Sequence, residues 1–171
     1  MLKIIKLSIF LFFIFSQHLF ADVISKITVE GNKRITKETI IVYGGIDKSK
    51  EMTREILDNI TKNLYETNFF QDIELSFNNN ELNIKVVEHP VINQISISGE
   101  KVEKYKEIIF EKISSKQKGS FIKSQILKDT QLIKSLYQDL GFSFANVDAK
   151  FENVTKDIVN LTFFIERGDK L

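Results

Sequence analysis

Cysteine is absent from the 171 residues, which excludes disulfides, thiolate nucleophiles and Cys-ligated zinc. It does not fix the compartment, because many exported bacterial proteins also lack cysteine. Histidine is nearly absent. His18 lies in an apolar N-terminal segment, and His89 sits beside the single proline, Pro90, a setting that suits a solvated linker residue better than a general base. No G-x-G-x-x-G, G-x-x-x-x-G-K-[ST] or H-E-x-x-H pattern occurs, so phosphate loops and helical zinc sites lack their motifs. Gly44-Gly45 reads as a helix stop instead. An excess of one charge is missing too. The 24 Lys and Arg face 23 Asp and Glu, which gives no electrostatic footprint for nucleic acid. No catalytic residue, cofactor site or metal site is expected.

What is present begins with an export-like N-terminus. Lys3 and Lys6 form a positive start, and Leu7 to Phe15 are an almost unbroken apolar run before Ser16, Gln17 and His18. This is the organisation of a signal peptide. Even Leu7 to Phe20 is shorter than the roughly 20 apolar residues that a membrane span needs. Residues 1–21 are therefore expected to be a signal peptide cleaved after Ala21, with secretion across the inner membrane; an uncleaved anchor is the alternative. Removing its two lysines leaves 22 basic against 23 acidic side chains. With 43% apolar and 27% charged residues, the remainder has the composition of a globular chain rather than a disordered one.

The chain also repeats itself. Val23, Ser25, Ile27, Val29 and Gly31 match Val91, Asn93, Ile95, Ile97 and Gly99 at a constant offset, and in both the apolar period of two predicts a strand stopped by glycine. Helical periodicity follows each. Thr36 is a candidate N-cap for a short helix ending near Gly44, and from Thr53 the stripe Ile56, Ile60 and Leu64, with Leu57 beside it, predicts a longer one. The second unit offers Ile108, Ile109 and Ile113, a stop at Gly119, then Ile122, Ile126, Ile133, Leu136 and Leu140. Each unit closes with alternating strands: Ile73, Leu75 and Phe77, an Asn78-Asn79-Asn80 turn, then Leu82, Ile84 and Val86. In the second, Phe144 to Phe151 and Val159 to Ile165 take these parts. The order β-α-α-β-β thus occurs twice, with a join at His89-Pro90. The fold expected is α+β: two tandem modules, 22–90 and 91–171, each a three-stranded mixed sheet covered by two helices. Units this small are marginal alone, so packing between them is expected to contribute.

Three phrases carry a family resemblance. They are Ile27-Thr28-Val29-Glu30-Gly31-Asn32-Lys33-Arg34-Ile35, Leu64-Tyr65-Glu66-Thr67-Asn68-Phe69-Phe70-Gln71-Asp72-Ile73, and Val87-Glu88-His89-Pro90-Val91-Ile92. In order and spacing they resemble the polypeptide-transport-associated, or POTRA, domains of the BamA family of outer-membrane protein assembly factors. Glu100 follows Gly99 where the family often has Asn. The resemblance implies a periplasmic location at the outer membrane of a Gram-negative bacterium. It also implies unfolded outer-membrane proteins as clients, accessory assembly subunits as partners, and a membrane barrel beyond these residues. The ending Glu166 to Leu171 resembles a junction into a third module, so a fragment of a longer protein is expected. Alternatives are a two-partner-secretion or other POTRA-bearing transporter, or a division protein if the N-terminal segment stays as an anchor.

Independently of family, the strand order suggests where binding would occur. If the first strand pairs with the last, the middle strand is an edge whose free N–H and C=O groups can accept an extended client. The candidate residues are Asp72, Ile73, Glu74, Leu75, Ser76 and Phe77 in the first unit and Phe144, Ala145, Asn146 and Val147 in the second. Ser76 is expected to face solvent and to offer an edge N–H.

Overall fold

The computed structural model describes residues 23–170; the expected signal peptide lies outside them. From β1 (Lys26–Glu30) the chain enters α1 (Lys37–Gly44) and α2 (Arg54–Glu66). Local chemistry starts both helices. Thr36 accepts a hydrogen bond from the Thr39 N–H at 3.2 Å and Thr53 one from Ile56 at 3.3 Å, caps worth about 1 kcal/mol each. The predicted stripe of α2 is its buried face, with Ile60 and Leu64 fully enclosed and Ile56 and Leu57 half-buried. β2 (Phe70–Asn78) and β3 (Glu81–Glu88) follow as a hairpin. Its turn is only two residues long, Asn79 and Asn80, at φ 51° and 62°, the backbone of a type I′ turn.

The second half repeats the order with β4 (Val91–Ser98), α3 (Glu103–Lys112), α4 (Lys123–Asp139), β5 (Asn146–Thr155) and β6 (Ile158–Glu166). In each sheet the last strand is central. β1 lies parallel and β2 antiparallel to β3, and β4 and β5 flank β6 in the same way. Two α+β modules, each a mixed three-stranded sheet with two helices, therefore stand in tandem. The glycine after each first strand is dictated by closeness. Gly31 and Gly99 have φ of 82° and 87°, and a Cβ there would come within 2.1 Å of the Val86 carbonyl oxygen and 2.0 Å of the Ile165 one.

The structure corrects four expectations. β1 starts late, because Ser25 donates to the Asn80 carbonyl through both its N–H and its hydroxyl, leaving Val23 in an isolated bridge to Glu51. Leu140 ends up exposed beyond the C-terminus of α4, whereas Tyr137 and Asp129 are buried on that helix. The β5 edge begins at Asn146 rather than Phe144. Phe144 is in a turn and 71% exposed, and Ala145 donates to the Phe142 carbonyl, so neither joins the sheet. Finally, the modules keep separate apolar cores, one built around Ile60, Leu64 and Leu82 and the other around Ile133, Leu161 and Phe163. Polar contacts link them at the join. Lys33 Nζ of the first module meets Asp157 Oδ2 of the second at 2.5 Å, and Arg34 donates to the carbonyl of His89, the residue at the join, at 3.3 Å.

Candidate functional site

A three-stranded sheet has two edges, and here they are unequal. On β1, five residues long, the Lys37 ammonium occupies the Ile27 carbonyl at 2.5 Å. The start of β4 is covered by residues 118–121: Ile92 donates to Gly119, Lys118 donates to Ile92, and Phe121 donates to Pro90. The opposite edges are open. Among the described residues, no backbone hydrogen bond reaches β5 from outside its pairing with β6, and none reaches β2 from outside its pairing with β3. One outward group of β2 is engaged by side chains: the Ile73 N–H donates to the Tyr65 hydroxyl at 3.2 Å and to Asp72 Oδ1 at 3.0 Å.

Which groups of β2 point outward follows from its turn. A two-residue hairpin makes the flanking pair Asn78 and Glu81 a hydrogen-bonded one, and such pairs recur at every second residue. Asn78, Ser76, Glu74 and Asp72 therefore bond to β3, whereas Phe77, Leu75 and Ile73 turn their N–H and C=O outward. The Tyr65 contact at Ile73 agrees. Ser76 does have an exposed side chain, but its N–H serves the sheet, so the expected edge donor is at Leu75 and Phe77 instead. Asp72 and Glu74 lie on the wet face; Ile73 is buried, and Leu75 and Phe77 are half-buried on the core side. In the second module Asn146 is exposed and Val147 is buried in β5.

Two nearly buried carboxylates hold the loops that lead from each first strand. Glu88, with 5% of its side chain exposed, accepts from the N–H groups of Lys33, Arg34 and Ile35 and pairs with Arg34 Nε at 3.1 Å. Burial opposes its charge, but those donors and Arg34 outweigh it and hold the carboxyl below its ordinary range. Glu100 serves the second module from within the loop, accepting from Lys101, Val102 and the Tyr137 hydroxyl with Arg167 at 3.8 Å. Its carboxyl is lowered against burial in the same way. Burial and the adjacent Glu100 push the Tyr137 hydroxyl upward. Sequence reasoning missed Tyr65, Glu100 and Tyr137, whose roles depend on partners distant in the chain.

The join carries two clefts. One, of about 430 Å³, lies among Lys33, Arg34, Lys118 and Asp157; the other, of about 460 Å³, lies between Gln71 and the Phe121–Phe151 pair. His89 lines both, and burial lowers its pKa. Among the described residues no cluster of three or more His, Asp or Glu could hold a metal, and no helix is long and apolar enough to cross a membrane.

Comparison with known proteins gives these features a context. Residues 90–168 match the family model for POTRA, described as surface antigen variable number repeat. The outer membrane protein assembly factor BamA of Neorickettsia risticii (strain Illinois) is 25% identical over 87 residues, covering 51% of this chain and 12% of that protein. The N-terminal domain of Omp85 from the thermophilic cyanobacterium Thermosynechococcus elongatus superposes with a TM-score of 0.54 at 20% identity, over 82% of this chain and 61% of that one. POTRA1-2 of the periplasmic domain of Omp85 from Anabaena gives a TM-score of 0.48 at 17% identity, over 87% and 97%. The chain thus spans only a small part of its curated relative and under two thirds of the first of these structures. The family match falls on the second module, and the first module repeats the fold of the second.

Proposed function

We propose that this chain is the periplasmic, POTRA-bearing part of an outer-membrane β-barrel assembly factor, divided at His89-Pro90, and that it binds unfolded outer-membrane proteins by strand addition. Its role is binding rather than catalysis. One observation supports the reading: among the described residues β2 and β5 have no backbone partner on their outer side, while β1 is only five residues long with its Ile27 carbonyl taken by Lys37, and β4 is covered over its first residues. Main-chain hydrogen bonding gives affinity with little dependence on client sequence, as a factor with many clients requires. The exposed Asp72 and Glu74, and Asp148, Lys150 and Glu152 on β5, keep these edges from pairing indiscriminately. Accessory assembly subunits would dock on surfaces away from them.

Amide hydrogen exchange tests the reading residue by residue. In the free protein the inward amides of Glu74 and Ser76 should exchange slowly and the outward ones of Leu75 and Phe77 quickly. An extended outer-membrane strand peptide should slow the outward set, or its counterpart on β5. Binding without such protection would place clients elsewhere. Tyr65→Phe should leave the fold within about 1 kcal/mol of the parent, speed exchange at Ile73 and raise peptide affinity at β2.

A further inference from the structure

We propose that the cleft on the β5 side of the join is a pocket for an aromatic side chain, carried by an extended segment with a carboxylate next to that ring. This rests on strand addition at β5. The floor of the cleft is two rings. Phe151 stands half-exposed on β5, 4.8 Å between centroids from the nearly buried Phe121. Gln71, the residue skipped by the register shift of β2, forms the wall from the first module, and Asn153 extends the lining along β5. The strand that offers the open edge therefore also supplies the floor. A segment paired along β5 puts every second side chain on the face where Phe151 lies, at the separation of cross-strand neighbours.

Charge selects the occupant. Lys123 is the one Lys or Arg lining the cleft, and no carboxylate lines it. A cation at the rim of an apolar pocket favours the face of a third ring and an adjacent carboxylate, and it disfavours a basic neighbour. Both modules contribute, so the pocket exists only while the join holds them together.

The test uses the full chain and fluorescent ten-residue strand peptides that differ at two positions: Phe-Glu, Ala-Glu and Phe-Lys. The Phe-Glu peptide should bind about tenfold more tightly than Ala-Glu. Phe151→Ser, a change at a half-exposed position, should remove that difference, with thermal melting to confirm the fold. Lys123→Glu, at the exposed first turn of α4, should reverse the preference between Phe-Glu and Phe-Lys, by about two- to fivefold in each direction. Equal binding of Phe-Glu and Ala-Glu, with both protecting β5 amides from exchange, overturns the pocket and leaves strand addition standing. Absence of β5 protection by either peptide overturns strand addition at β5 and the pocket with it.

Discussion

The two modules solve one packing problem with opposite charges. Gly31 packs on Val86 and Gly99 on Ile165, so Glu88, two residues past Val86, has Arg167 as its counterpart. In the first module the strand end provides the carboxylate and the loop provides the arginine, Arg34. In the second the loop provides the carboxylate, Glu100, and the strand end the arginine. The helical layers differ as well. α1 and α2 begin on threonine caps, whereas α3 and α4 have no side-chain cap, and Asp129 instead accepts from Ser114 at 2.7 Å and Ser115 at 2.8 Å inside the layer. A shared topology thus constrains which backbone groups need partners, but not where the partners come from.

The sharpest way to separate the modules is to break one core. Ile60→Asp buries an unpaired charge among residues of the first core alone and should cost about 4 kcal/mol or more. Because the cores are separate, the NMR signals of residues 91–166 should persist while those of 26–88 collapse; joint loss would show a cooperativity that the two cores do not explain. The next test compares the two ways of satisfying backbone groups. Asp129→Ala leaves two N–H groups without their acceptor and should cost about 2–3 kcal/mol, against about 1 kcal/mol for Thr53→Ala. Denaturant titration of each module's own probes measures both.

The smallest effect concerns acid. Glu88 titrates below its ordinary value of 4.5, so in that range the unfolded chain binds more protons than the folded one. Its contribution is full above about pH 4.5 and is lost as pH falls through the folded value. Glu88→Gln should flatten the acid limb of the first module's melting temperature and leave that of the second, which rests on Glu100, unchanged.

Much of this fold was legible because its determinants are local. The period of two around Ile27 and Leu82, the caps Thr36 and Thr53 and the stripe through Ile60 and Leu64 each need only a few neighbouring residues to act. Tyr137 and Glu100 were not legible. They are 37 residues apart, and each alone reads as an ordinary surface side chain. The open edge was legible from strand order, but its outward residues were not. Reading Asn78-Asn79-Asn80 as the turn hides the two-residue loop that sets the hydrogen-bonding alternation, which is why the sequence places an outward N–H at Ser76. Phe144 reads as part of the strand to Phe151 in sequence, but the Ala145 hydrogen bond to the Phe142 carbonyl closes a turn there.

The reversed carboxylate–arginine pairs also bear on folding fidelity. In a tandem repeat the nearest wrong partner for a strand is its copy in the neighbouring module, and swapped pairing is a characteristic failure of such chains. If the loop after β4 docked on the end of β3, Glu100 and Glu88 would converge on one site. If the loop after β1 docked on the end of β6, Arg34 would meet Arg167, and the backbone N–H groups of Lys33, Arg34 and Ile35 would face no carboxylate. Each wrong pairing would set like charge against like, most severely for the two carboxylates, whose side chains are almost fully buried, so the reversed pairs would disfavour an exchange of first strands between the sheets.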